Sequence, residues 1–508
     1  MKATNVTNEM ITRLLDYARS KKLIGNADRL YCANLICDCM GIDSYEKTMT
    51  EGEKPLNEIL EALCDIAVAE GIIQDGTASR DRFDTKLMGF LMPRPSDVNK
   101  KFKRLMKKDP KAASDYFYAV SVDSNYIRAD RIAKDRRWSV DSRYGKIDIS
   151  INLSKPEKDP RDIAAAKSAP QTDWPKCLLC KENVGFAGNA QKPARQNLRQ
   201  IPMQLGGEKW LMQYSPYVYY NEHCIVLSAK HSPMSVRHET FERMLDFVTV
   251  LPHYFIGSNA DLPIVGGSIL SHDHMQGGCY EFPMERAESI IALEFADFPQ
   301  VKASIVDWPM SVIRLRSDDK GAIVALCDKI LAAWRTYSDA DAGIFAETDG
   351  VPHNTITPIG RRRGSDYEID LVLRNNITDE AHPLGVFHPH ADKHNIKKEN
   401  IGLIEVMGLA ILPARLLGEM SALEKLAAAH ATVDEVRADA KCSAHADWYG
   451  SFRDKYNFIE DNAAEILRNE IGKTFTAVLE DAGVYKTDAA GRAAFLKFTS
   501  SVGAKASV

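Results

Sequence analysis

Apolar residues recur every three or four positions through most of the first 120 residues, as in MITRLLDYARSKKLI, LNEILEALCDIAVAEGII and DRFDTKLMGFLM. That period matches one face of an α-helix, so a helical region is predicted over residues 1–130. The proline pair in MPRPSD interrupts it and marks a turn. From about residue 135 the spacing changes. KIDISINLS alternates polar and apolar side chains as a half-buried strand does, YVYYNEHCIVLS and PIVGGSIL predict further strands, and ETFERMLDFVTVLPHYF predicts a helix. A second stretch of the same kind begins near 300: SIVDWPMSVIRLRS and YEIDLVLRNN predict strands on either side of the helix GAIVALCDKILAAWRTYS. Residues 401–435 and 451–484 return to helical spacing, and the closing KASV carries no pattern. The expected architecture is α+β, with a helical N-terminal region (1–130), a first mixed unit (131–299) and a second (300–508).

At 508 residues the chain is too long for one ordinary core, which agrees with several domains. Its 65 basic and 70 acidic side chains leave a net charge of −5, and that near balance argues against a duplex nucleic-acid partner. A small anionic substrate stays open, since one local cluster of donors is enough to hold it. The stretch VNKKFKRLMKKDPKAASDYFYAV is basic, but a solvated helix face accounts for it more simply than an anion-binding surface. No secretory signal is expected behind the first charges, and no run of about 18 apolar residues predicts a membrane span. Ten cysteines in so long a chain do not make a disulfide framework; Cys32, Cys64, Cys224 and Cys327 sit singly in apolar surroundings, and a reducing cytoplasm is the expected compartment.

The most informative segment is DLPIVGGSILSHDHMQGG, residues 261–278. In an extended backbone His272, His274 and Gln276 project from one side. Gly266 and Gly267 before them, with Gly277 and Gly278 after, suit a backbone that lets an anion come close. A neutral imidazole is a competent nucleophile near neutral pH, and attack on phosphorus divides one hard transfer into two easier steps. An amide N–H on Gln276 can meet a non-bridging oxygen as charge develops there. A lone His-x-His is more often a pair of core or surface histidines, or two metal ligands. A second His-x-His follows a glycine in PLGVFHPHADKH, with His388 and His390, and this echo hints at a duplicated unit. Separately, Cys177 and Cys180 in PKCLLCKENVG have the spacing that presents two thiolates to one tetrahedral ion; two buried thiols beside a turn is the alternative.

Residues 261–278 resemble the signature of the second type of galactose-1-phosphate uridylyltransferase. NLSKPEKDPRDIAAAK, PKCLLCKENVGFAG, NEHCIVLSAKHSPMS and TITPIGRRRG also sit in the order that family has them. The resemblance implies tandem histidine-triad-like units of antiparallel sheet with flanking helices. It implies a transferase of galactose metabolism that exchanges UMP between UDP-glucose and galactose 1-phosphate, with His274 as nucleophile and Gln276 as phosphate-stabilising amide. No cofactor is implied for the chemistry, and a homodimer is. It also implies His231 and His272 as the other two ligands of a Cys2His2 set with Cys177 and Cys180, holding a structural zinc. Met275 stands where an aromatic residue is expected, and Asp273 where the first type of the enzyme has proline; both should face away from the two assigned roles. The substrates' phosphates need donors. The candidates are Lys155 and Lys158, Arg195 and Arg199, Gly266 and Gly267, and the triplet Arg361, Arg362 and Arg363, with His353 and Asn354 for sugar hydroxyls. The alternative is another histidine-triad-like nucleotidyltransferase or phosphorylase. Such enzymes normally carry a third histidine where Gln276 stands; a histidine can act as general acid for a poor leaving group, and glutamine cannot.

Overall fold

The computed structural model describes residues 2–153, 173–267 and 269–507. The helical period of the N-terminal region becomes helices Lys2–Ser20, Arg29–Met40, Leu56–Ala69 and Thr77–Phe90, which enclose a core of their own around Ile11, Leu14, Leu63 and Leu87. The basic stretch divides into two helices, Pro95–Met106 and Pro110–Asp123. Each starts on a proline, whose fixed φ and missing N–H suit the first turn. At the second, the Asp109 carboxylate accepts from Lys111 N at 2.9 Å. Val98, Phe102, Ala113 and Phe117 on these two helices join the core of the main sheet.

The strands, in chain order, are β1 (Arg136–Ser142), β2 (Gly145–Ile151), β3 (Ile201–Leu205), β4 (Glu208–Tyr214), β5 (Cys224–Ser228), β6 (Phe255–Gly257), β7 (His274–Gly278), β8 (Ser289–Phe295), β9 (Lys302–Val306), β10 (Val312–Ser317), β11 (Glu347–Thr348), β12 (Val351–Pro352), β13 (Asn354–Arg363), β14 (Asp366–Asn375), β15 (Leu409–Leu412) and β16 (Ala504–Ser507). Eleven of them form one antiparallel sheet in the order β16-β8-β9-β10-β14-β13-β6-β7-β5-β4-β3. The order contains a repeat. β3, β4, β5, helix His238–Val250, β6 and β7 lie side by side as 3-4-5-7-6; β8, β9, β10, helix Lys320–Thr336, β13 and β14 lie as 8-9-10-14-13. The two halves meet through β6 and β13, at Gly257–Ile359 and Ile256–Gly360. Both helices cover one face, where Phe241, Leu245, Ile323 and Trp334 are buried. The other face packs against helices Arg415–Ala428 and Glu460–Ala482 and a small sheet of β1, β2 and β15.

Several expectations change. Among its described residues the segment around PIVGGSIL forms no strand: residues 263–265 form a turn, with Ile264 at φ 71°, and Gly266 makes an isolated bridge to Ala260. The stretch before Cys224 is also a turn, with Val218 and Glu222 at positive φ, so the strand in YVYYNEHCIVLS begins only at Cys224. Residues 409–412, predicted helical, form β15 parallel to β2. The patternless C-terminus forms β16, which closes the edge beside β8. The counterpart of β7 in the repeat is β14, so the duplication is not carried by His388 and His390. Those two lie in the loop that follows β14, where His388 bonds Asn400 and His390 bonds the Val386 carbonyl.

Candidate active site

β7 is held by β5 on one side and β6 on the other. Leu227 faces His274 across β5–β7, while Gln276 lies between Ile225 and Gly257. The alternation of β7 sends Met275 into the helix-covered core and His274 and Gln276 to the opposite face. Asp273 turns toward Arg243, at 3.7 Å.

His274 is buried, 6% exposed, and its Nδ1 lies 2.8 Å from the His272 carbonyl oxygen. A carbonyl only accepts, so the proton sits on Nδ1 and Nε2 keeps its lone pair. Burial pushes the His274 pKa down to about 4, which leaves the ring neutral near pH 7. Gln276 is half-buried and its Oε1 lies 2.9 Å from His223 Nε2. The face therefore presents a neutral imidazole of fixed tautomer next to a carboxamide whose oxygen is already engaged.

Just before the strand, His272 points into a cluster with Cys177, Cys180 and His231, whose four ligand atoms lie within 4.8 Å of one another. Cys177 Sγ is 3.2 Å from His272 Nδ1, Cys180 Sγ is 3.1 Å from His231 Nδ1, and the two sulfurs are 3.5 Å apart. The Ser228 carbonyl lies 2.9 Å from His272 Nε2 and accepts a hydrogen bond from its N–H, so the Nδ1 lone pair turns toward the sulfurs. Two thiols and two imidazole lone pairs converging this closely are a donor set for a metal ion, one that ties the segment before β7 to the Cys177–Cys180 turn and to the loop after β5.

The other candidates lie in different settings. Lys155 and Lys158 fall outside the described residues. Gly266 and Gly267 are pressed against the chain itself: a Cβ at Gly266 would lie 2.5 Å from the Ala260 carbonyl oxygen, and one at Gly267 2.7 Å from Asn259 Nδ2. Arg195 stacks over the Tyr126 ring at 5.6 Å. Arg199 is buried and donates to the carbonyls of Pro93, Gln196 and Leu198; burial without a carboxylate partner pushes it down to about 10. Arg361, 3% exposed, is held by Glu368 and Asp370, Arg363 by Glu285 and Glu368, and Arg362 lies over Tyr367. His353 bonds Asn376 and Thr348, and the Asn354 amide donates to the Trp334 and Tyr337 carbonyls. None of these side chains has a described hydrogen bond to His274 or Gln276. His223, by contrast, reaches Gln276 and was not singled out by the sequence. Its segment reads as a strand with a polar residue, and only the pairing of β5 with β7 brings the two together.

Residues 40–233 match the family model described as galactose-1-phosphate uridyl transferase, N-terminal domain, and residues 248–441 match its C-terminal domain. A protein named galactose-1-phosphate uridylyltransferase from Fusobacterium nucleatum is 50% identical over 503 residues, covering 98% of this chain and 99% of its own. Proteins of that name from Clostridium acetobutylicum and Bacillus subtilis are also 50% identical, over 97% and 98% of this chain and 99% and 98% of theirs.

Proposed function

The chain belongs to the galactose-1-phosphate uridyl transferase family, and from that premise we infer that it exchanges UMP between UDP-glucose and galactose 1-phosphate with His274 as the nucleophile. The observation that carries the residue assignment is the 2.8 Å bond from His274 Nδ1–H to the His272 carbonyl, which leaves a neutral Nε2 lone pair on the face that also bears Gln276. Nε2 attacks the α-phosphorus of UDP-glucose. The bond from that phosphorus to the bridging oxygen breaks, and glucose 1-phosphate leaves with the electron pair. The phosphate of galactose 1-phosphate then attacks the uridylyl-histidine; the P–N bond breaks, its electrons return to Nε2, and UDP-galactose departs. The Gln276 amide N–H meets the non-bridging oxygen in both steps, and the Nδ1–H bond supports the positive charge the ring carries while uridylylated. Each half-reaction replaces one phosphoryl linkage with another, so the demand on the site is positioning and charge stabilisation.

Cys177, Cys180, His231 and His272 would hold a zinc ion. With four protein ligands and no open position it would supply rigidity rather than Lewis acidity, fixing the carbonyl of His272 to which His274 donates. The four-donor convergence and the tautomer fixed by Ser228 support this reading. All ten cysteines are free thiols, which supports a reducing cytoplasmic setting. Assembly as a homodimer belongs to the same proposal. The test is isotope exchange: with galactose 1-phosphate absent, labelled glucose 1-phosphate should enter UDP-glucose in the wild type and not in His274→Ala. Exchange that persists in His274→Ala would remove the nucleophile assigned here.

A further inference from the structure

Gln276 presents two ends of nearly equal size, and only the N–H end can stabilise a phosphoryl oxygen. What decides which end faces the substrate is the partner of the other end. That partner is His223, whose Nε2 lies 2.9 Å from Gln276 Oε1. Building on the transfer reaction inferred above, we propose that His223 is a positioning residue that locks the Gln276 carboxamide with its N–H end toward the transferring phosphoryl group.

Three observations support this role over simple packing. The ring's place is fixed by the backbone: His223 O accepts from Ser215 N at 2.8 Å, and His223 N donates to Tyr220 O at 3.2 Å, in the tight turn that leads into β5. Its faces are set by the Tyr220 and Tyr219 rings, at 4.5 and 5.5 Å. The Tyr220 hydroxyl in turn holds the carbonyl of Gly277, the residue after Gln276, at 3.2 Å. Second, the ring is 2% exposed, and among the described residues its Nδ1 has no hydrogen-bond partner. An imidazole kept for packing alone would be replaced at little cost by an apolar ring, since a buried nitrogen without a partner destabilises the fold. Among the described residues the one hydrogen bond this ring makes is to Gln276. Third, the neutral ring has a single N–H, and because the carboxamide oxygen only accepts, that proton must sit on Nε2. Burial keeps the ring neutral by pushing its pKa down to about 4. On the far side of Gln276 the neighbouring strand offers Gly257, over which the apolar side chain of Leu403 packs, and neither offers a side-chain group that can hydrogen-bond one end of the amide in preference to the other. His223 is therefore the group that holds the orientation.

The experiment compares two amides of different reach. In His223→Gln the side-chain N–H extends about as far as the imidazole Nε2; in His223→Asn it ends near the position of Nδ1 and stops short of Gln276. Wild-type exchange between UDP-glucose and glucose 1-phosphate is measured first, so that failure of the transfer reaction itself is seen separately. Both variants are then checked for folding by thermal denaturation and assayed at saturating substrates. The expected result is a kcat lowered about 10- to 100-fold in His223→Asn with KM little changed, below the loss for removing an oxyanion donor outright. His223→Gln should recover to within about 3-fold of wild type, because it restores the hydrogen bond on which the orientation depends. In a Gln276→Ala background His223→Asn should lower kcat no further, because the group it positions is gone. A folded His223→Asn with wild-type kcat overturns the proposal. So does an equal loss in both variants, or an additive loss in the Gln276→Ala background.

Discussion

Replacing Arg361 by leucine separates two roles for the basic triplet that follows Gly360. In the fold, the Arg361 guanidinium donates from Nε to Glu368 at 2.8 Å and from Nη2 to Asp370 at 2.8 Å, and all three residues are nearly inaccessible, at 3%, 5% and 0% exposure. Burial pushes the Asp370 carboxyl up, but the charges of Arg361 and Arg314 outweigh it and hold the group below the ordinary carboxylate value. Removing one partner of such a buried pair leaves uncompensated charge and typically costs about 3–5 kcal/mol. The lower end applies here, because Arg314 still reaches Asp370 from Nε at 2.7 Å and from Nη2 at 3.0 Å. Glu368 loses the bonds from Arg361 and keeps Arg363 Nε at 3.2 Å. The expected effect of about 3 kcal/mol should lower the urea midpoint clearly, with KM for both sugar substrates unchanged in the protein that remains folded. The sign with pH follows from the depressed carboxyl. Its stabilisation is present above the unfolded pKa of about 3.9 and is lost as the pH falls through the lower folded value, so the gap between wild type and variant should close in acid. A variant of unchanged stability with a raised KM would show that Arg361 serves the substrate phosphates instead.

Four further outcomes are expected. Gln276→Ala should lower kcat by about 10²–10³ while leaving the fold intact, as loss of one preorganised donor does; steady-state kinetics with a thermal scan checks both. Purified protein should contain about one zinc per chain by elemental analysis, and Cys180→Ser should lose the metal together with a large part of its thermal stability; a metal-free preparation of full stability would end that assignment. Burial holds His223 at about 4, so between about 6.5 and 4 the unfolded chain takes up a proton that the folded chain refuses. Stability should therefore fall as the pH drops through that window, and His223→Gln should flatten the slope measured by denaturant titration. Val140 lies 2.5 Å from where a Cβ on Gly472 would sit, at the crossing of helix Glu460–Ala482 with β1; Gly472→Ala should lower the thermal midpoint by overpacking, about 1–3 kcal/mol.

What the sequence disclosed follows the range of the forces involved. Helices Lys2–Ser20 and Lys320–Thr336 are visible because burial on one face imposes a local period, and strand β14 because it is a short apolar run buried on both faces. The His274–Gln276 pair is visible locally too, as strand alternation alone puts both on one side. Turns that depend on contacts elsewhere are not visible: residues 263–267 have the apolar content of a strand, yet Gly266 is wedged against the Ala260 carbonyl. The C-terminal strand Ala504–Ser507 has no pattern of its own and exists because β8 offers an edge. The His-x-His of residues 388–390 imitates a repeat that the strand order assigns to β14, where Glu368 and Asp370 are paired with buried arginines. The pairing of the basic triplet is hidden for a different reason: Glu368 and Asp370 are close in sequence, but only the register of β13 on β14 turns them toward Arg361, and Glu285 comes from far off in sequence. His223 was hidden because its partner lies 53 residues away.

The proposed transfer passes through a transient bond between the Nε2 of His274 and a uridylyl group. The direct measurement is mass spectrometry of the intact chain after brief incubation with UDP-glucose alone, followed by fragmentation of the peptide spanning residues 261–278 under alkaline conditions that preserve the P–N bond. One added uridylyl group per chain is expected, located at His274, discharged by galactose 1-phosphate and absent from His274→Ala. An unmodified chain during active turnover, or the group on a different residue, would contradict it.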